Sequence, residues 1–177
     1  MAISKIVTNS VDSGAVTLTT QVTGILPVAN GGSGLATKAG TILQVVNVTY
    51  ATATSNSTST PASTGLTLSI TPISTSSRIL VIANIASVQN NNSGNGVNLQ
   101  LLRNATVLYT FGTVNGYTNS AIVTVTSGGG TTYIDSPATI SATSYTVYFA
   151  SNTGGGQVVT VQANNATSTM TLMEISG

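Results

Sequence analysis

With 177 residues, 41% of them hydrophobic and only 4% charged, the chain is long and apolar enough for one packed core and does not match the polar, highly charged profile of disorder. Histidine and cysteine are both absent, which excludes Ser-His and Cys-His nucleophile pairs, thiolate metal sites and disulfides. A net charge of +1, with Lys5, Lys38, Arg78 and Arg103 scattered along the chain, provides no basic track for a phosphate backbone, so nucleic acid is not an expected partner.

Residues 1–40 read as an N-terminal arm that ends in a glycine-rich linker. Short β-prone pieces alternate with turn residues there, and Gly31, Gly32 and Gly34 close the segment. Val16, Leu18 and Val22 alternate with threonines, a pattern suited to pairing with the strand edge of another chain. The opening stretch MAISKIVTNSVDSG has no sustained apolar run, and residues 79–88 reach only about half of a ~20-residue membrane span. The expectation is a protein soluble when made, with no membrane insertion.

Residues 41–177 read as a β-sandwich head. Strands are predicted at 42–50, 65–70, 78–88, 96–103, 105–111, 121–126, 131–134, 140–150, 157–163 and 168–174, where β-branched and aromatic residues concentrate, and no helix is expected. Turns are predicted at 55–60 before Pro61, at 90–96, at Asn115-Gly116, at 128–130 and at 154–156. Val97, Leu99 and Leu101 alternate with Asn98 and Gln100, so one face of that strand is predicted to be buried and the other polar. The fold class expected is all-β, an antiparallel jelly-roll sandwich with an extended N-terminal arm.

Little chemistry is left to assign. Asp12, Asp135 and Glu174 are the only carboxylates, whereas glycoside hydrolysis needs a close pair across its substrate. Asp135-Ser136-Pro137 reads as a turn, Glu174 as a polar residue of the last strand, and Arg78 and Arg103 as rim residues or partners of those acids. Gly31-Gly32-Ser33-Gly34 lacks the Gly-Lys-Ser/Thr ending and following helix of a phosphate loop. The Asn-x-Ser/Thr triplets at Asn47, Asn56, Asn104 and Asn165 are expected to be unmodified. No catalytic residue, metal ligand or cofactor is therefore expected, and the chain does not read as an enzyme. Among six tyrosines, Tyr117 is the best surface candidate.

With so few ions, the polar surface must come from Ser and Thr, roughly 30% of residues, together with Asn, Gln and Gly. Near-zero net charge gives little protection against self-association, so assembly is the default expectation.

The segment Gly24-Ile25-Leu26-Pro27-Val28-Ala29-Asn30-Gly31-Gly32-Ser33-Gly34 resembles a linker of bacteriophage tail-fibre and other virion surface proteins. The pieces 65–72 leading into 77–81, then 133–139 and 172–175, are similar to a recurrent β-sandwich head of phage particles. The resemblance implies a homotrimer with a head akin to the complement C1q and tumour-necrosis-factor jelly roll. It also implies an arm that docks on a capsid or tail protein of the same virion through Val16, Leu18, Val22, Ile25, Leu26 and Pro27. The arm, at ~3.3 Å per residue, stretches to at most on the order of 130 Å and has no shaft, which favours a capsid-decorating cement protein or a short fibre. Such a protein is made in the host cytoplasm and ends on the virion surface. The alternative is a tail-fibre receptor reader that meets host surface saccharide through Asn91, Asn92, Asn95, Asn115 and Tyr117.

Overall fold

Alternation of apolar and polar residues organises the head into two sheets. The computed structural model describes residues 39–119 and 124–177. Its strands are β1 (Ile42–Tyr50), β2 (Thr54–Asn56), β3 (Ala62–Ile70), β4 (Arg78–Asn90), β5 (Asn95–Arg103), β6 (Thr106–Thr118), β7 (Val125–Asp135), β8 (Thr143–Ser151), β9 (Val159–Val161) and β10 (Ser168–Ile175). The first sheet runs β1-β10-β4-β9-β2, with β7 on the other flank of β4, and the second runs β3-β8-β5-β6. Every pairing is antiparallel. Setting aside the short β2 and β9, the first, eighth, third and sixth long strands form one sheet and the second, seventh, fourth and fifth form the other, which is jelly-roll connectivity.

The core lies between the sheets. Ile79, Val81 and Ile85 of β4 and Met170 and Leu172 of β10 share one buried cluster with Leu66 and Ile70 of β3, Val97, Leu99 and Leu101 of β5, and Tyr145, Val147 and Phe149 of β8. Each full burial of a side chain of this size contributes about 1.5–3 kcal/mol.

Three departures from the sequence expectation have local causes. The predicted turn at 128–130 lies inside β7, because Gly129 leaves room for Leu99: a Cβ there would stand 2.2 Å from the Leu99 Cδ1. Asn115-Gly116 is likewise part of a strand, β6, which follows β5 through several register shifts instead of turning. The window 157–163 shortens to β9 and leads into a 3₁₀ turn at Ala163–Asn165, the one helical turn among the described residues.

Bulges set the geometry of two strands. β4 shifts register between Ile85 and Val88, so that it pairs with β10 before the bulge and with β9 beyond it. The Ser168 hydroxyl fills the gap, accepting from the Ala86 backbone N–H and from Gln162 Nε2, both at 2.9 Å. β3 bulges between Ser63 and Thr67, where Gly65 has φ +86° and the Tyr50 ring lies over it.

Glu174 fastens the loop between β3 and β4. Its buried carboxylate accepts from the Ile73 backbone N–H at 2.7 Å and from Gln44 Nε2 at 2.5 Å. Burial opposes ionisation, but the polar groups turned toward it, the Ser77 hydroxyl, the Gln44 amide and the backbone N–H groups of Ile73 and Ser74, outweigh burial and hold its pKa below the ordinary 4.5.

Two outcomes follow from these contacts. Gly65→Ala places a Cβ 2.3 Å from the Tyr50 ring on a backbone that favours glycine, so it should destabilise the head by on the order of 3 kcal/mol, read as a drop in Tm. Because the folded-state pKa of Glu174 is depressed, its contribution is complete above pH 4.5 and lost as pH falls through the folded value. Thermal melts across the acid range should therefore show a steeper loss of Tm for the native chain than for Glu174→Gln, which starts lower at neutral pH; parallel curves would contradict this.

Candidate functional site

Both carboxylates of the head sit on the inner side of the first sheet. Asp135 of β7 and Glu174 of β10 lie on either side of Ile79 of β4 in register, two strand spacings or roughly 10 Å apart along the backbone. Arg103 of β5 grips both oxygens of Asp135 through one guanidinium nitrogen, at 2.8 and 2.9 Å, and the buried Tyr145 hydroxyl of β8 donates to the same carboxylate at 2.7 Å. Burial, then the hydrogen bond and charge of Asp135, push the Tyr145 phenol far up, with Arg103 acting in the opposite sense. Asp135, expected to be a turn residue bonded to backbone, instead ties β7 of one sheet to β5 and β8 of the other. Arg78 has no ion-pair partner among the described residues, and Glu174 is bound by neutral groups. No group of three or more potential metal ligands occurs among the described residues.

The residues expected to meet a receptor separate into distinct roles. Asn95 is fully buried: its Oδ1 accepts from the Thr153 backbone N–H and hydroxyl at 3.1 and 3.0 Å, while its Nδ2 donates to the Ser151 hydroxyl at 3.0 Å. It is closed to a surface ligand and anchors the loop after β8. Asn90, the first residue of the predicted turn at 90–96, is equally buried and donates to the carbonyls of Asn92, Asn95 and Gly116, holding the β4–β5 loop to β6. Asn115 is part-buried, its Nδ2 donating to the Val97 carbonyl at 3.3 Å. Asn92 reaches across to the Val158 carbonyl at 2.6 Å. Asn91 and Tyr117 are exposed, and the Tyr117 hydroxyl donates to Asn119 Oδ1 at 2.7 Å. The arm residues Val16, Leu18, Val22, Ile25, Leu26 and Pro27 lie outside the described residues.

The outer face of the β1-β10-β4-β7 array carries the main apolar surface. Val45, Met173, Leu80 and Ile134 stand in one cross-strand row, each directly opposite the next. Val45 and Ile134, at its two ends, are each 52% exposed. Ile82, one step along β4, and Leu43, at the start of β1, extend the exposed apolar surface. A second apolar surface lies where edge strands β6 and β7 of the two sheets meet. There the exposed Tyr109 stacks against Tyr133 with centroids 5.8 Å apart and against Phe111 at 6.4 Å. The signal for the face was present in the sequence: Ile79-Leu80-Val81-Ile82 is apolar without alternation, as in a strand covered on both sides.

No family model matches the chain, and no curated protein matches it. Among solved structures it is similar to the VP2 subviral particle of infectious bursal disease virus, with 12% identity and a TM-score of 0.42 over 75% of this chain. The chain spans 39% of the length of that protein.

Proposed function

We propose that this chain is a structural component of a virus particle, a homotrimeric surface protein whose jelly-roll head assembles through its apolar sheet face and whose residues 1–40 dock it on a capsid or tail protein. The observation that carries the proposal is the in-register row Val45, Met173, Leu80 and Ile134 on the outer face of a sheet. A contiguous apolar row on an exposed sheet face is the kind of surface that marks a protein contact. The Tyr109 edge is a second apolar surface of different shape, and two unlike adhesive surfaces suit heterologous contacts, which close into a three-membered ring when successive copies are related by a third of a turn. The resemblance of residues 24–34 to a linker of virion surface proteins supports the placement on a particle, and the neutral Ser/Thr-rich composition suits assembly that is indifferent to salt. Both head carboxylates are occupied in cross-strand and loop contacts, which supports a role without catalysis.

Mass measurement in solution tests the assembly. The native chain should run at three times its 17.7 kDa, and Leu80→Glu with Ile134→Glu should run as one chain while keeping its β circular dichroism, because neither side chain enters the core. A native mass of one chain, or a trimeric double variant, would overturn the role given to this face. Deleting residues 2–38 should leave a folded trimer that no longer joins particles; unchanged incorporation would remove the docking role from the arm.

A further inference from the structure

The first sheet ends in two edges that match each other. Among the described residues β1 pairs only with β10, and over 129–135 β7 pairs only with β4, so each leaves one side of its backbone open. Over 44–50 and 129–135 both strands run without a register shift. Neither stretch contains Lys or Arg, and the Asp135 carboxylate is taken up by Arg103 and Tyr145. The bulges and free charges that usually guard an exposed edge are thus missing from both. We propose that the open side of β1 in one copy of this chain pairs antiparallel with the open side of β7 in the next, Val45 opposite Ile134, so that the first sheet continues from copy to copy. This contact rests on the self-assembly proposed above and supplies the join between its subunits.

Strand direction and hydrogen-bond phase both permit the join. β1, β10, β4 and β7 alternate in direction, so a second copy laid beside the first with the same face outward presents its β1 antiparallel to β7. Along an antiparallel row, opposed residues alternate between exchanging hydrogen bonds and not exchanging them. The row Val45, Met173, Leu80 and Ile134 has four members, so its two ends share one phase: either both turn N–H and C=O toward the open side or neither does. Antiparallel partners must agree in this respect, and Val45 and Ile134 do.

Side chains select this register and this pair of edges. With Val45 opposite Ile134, Val46 falls opposite Tyr133 and Asn47 opposite Thr132, which joins apolar to apolar and polar to polar. Pairing β1 with its own copy over 44–50 sets Val45 against Thr49, and pairing β7 with its own copy over 129–135 sets Ile134 against Gly130. Each like pairing opposes an apolar end to a polar one, so the unlike pairing is favoured. Unlike edges form a heterologous contact, as a ring requires. With the outer faces turned to the ring axis, the apolar rows of successive copies form one belt, and Val45 and Ile134, each 52% exposed in the single chain, cover one another.

The full chain contains no cysteine, so introduced thiols report the join. Asn47 and Thr132 are exposed, and the proposed pairing brings them within disulfide reach across the join. Within one chain they lie three strand spacings apart, roughly 14 Å, too far to be bridged. Asn47→Cys with Thr132→Cys should link copies on mild oxidation into covalent species of up to three times 17.7 kDa, while either substitution alone should leave single chains. Asn47→Lys with Thr132→Lys sets like charges across the join and should weaken assembly about tenfold, and Asn47→Lys with Thr132→Glu should restore it. A trimeric mass with no interchain disulfide, or with no weakening by the paired lysines, would overturn this contact and leave the assembly standing. Linkage of the single-cysteine chains as complete as that of the pair would show like edges meeting and would overturn it too. A native mass of one chain would remove both.

Discussion

Burial of one side-chain row from each sheet against the other is the interaction on which the rest of the head depends. It fixes which residues of every strand face inward, and a one-residue slip would bring polar side chains such as Asn98 and Gln100 into the position of Leu99 and Leu101. The outward rows are thereby defined as well. On the β1-β10-β4-β7 side the outward row is itself apolar at Val45, Met173, Leu80 and Ile134, so the core arrangement also sets the surface proposed for assembly.

The loops at the ends of the strands are held by buried polar side chains that act as templates. Glu174 shapes the segment after β3, Asn90 and Asn95 shape the loops after β4 and β8, and Asn56 holds the segment that follows β2 through the Thr58 N–H and the Thr60 carbonyl. Each offers several donors or acceptors from one residue, which satisfies backbone groups that a loop would otherwise leave unpaired in the interior. Carboxamides perform most of this work in a chain with few ions. Asp135 is the exception, and its partners Arg103 and Tyr145 come from the opposite sheet, so the ion pair joins the layers instead of shaping a loop.

What could be read from the sequence followed from the range of the interaction. Alternation at Val97, Leu99 and Leu101 is local, and it gave the correct buried face of β5. Gly128-Gly129-Gly130 and Asn115-Gly116 carry the composition of turns, yet both lie within strands, because their conformation is decided by pairing and by the approach of Leu99 from another sheet. Asn95 read as a surface loop residue, since composition does not distinguish an amide facing water from one satisfying a buried turn.

A nearly uncharged β protein must also restrain its own edges, because exposed strand edges invite open-ended addition and charged gatekeepers are scarce here. Irregular backbone takes their place. The edge strand β6 follows β5 through four register shifts and carries Val114 and Gly116 at positive φ, and the edge strand β3 is bulged at Gly65. A bulged edge twists away from a flat partner and presents its N–H and C=O groups out of step. The edge at β2 is only three residues long. The long edges of the first sheet differ: β1 pairs with β10 without a shift from Gln44 to Tyr50, β7 pairs with β4 without one from Gly129 to Asp135, and their Val45 and Ile134 end the exposed apolar row. In the assembly proposed for this head, irregular edges at β6 and β3 disfavour strand addition there and leave the apolar face of the β1-β10-β4-β7 array as the surface for association, so that geometry would take the part that charge plays in most proteins.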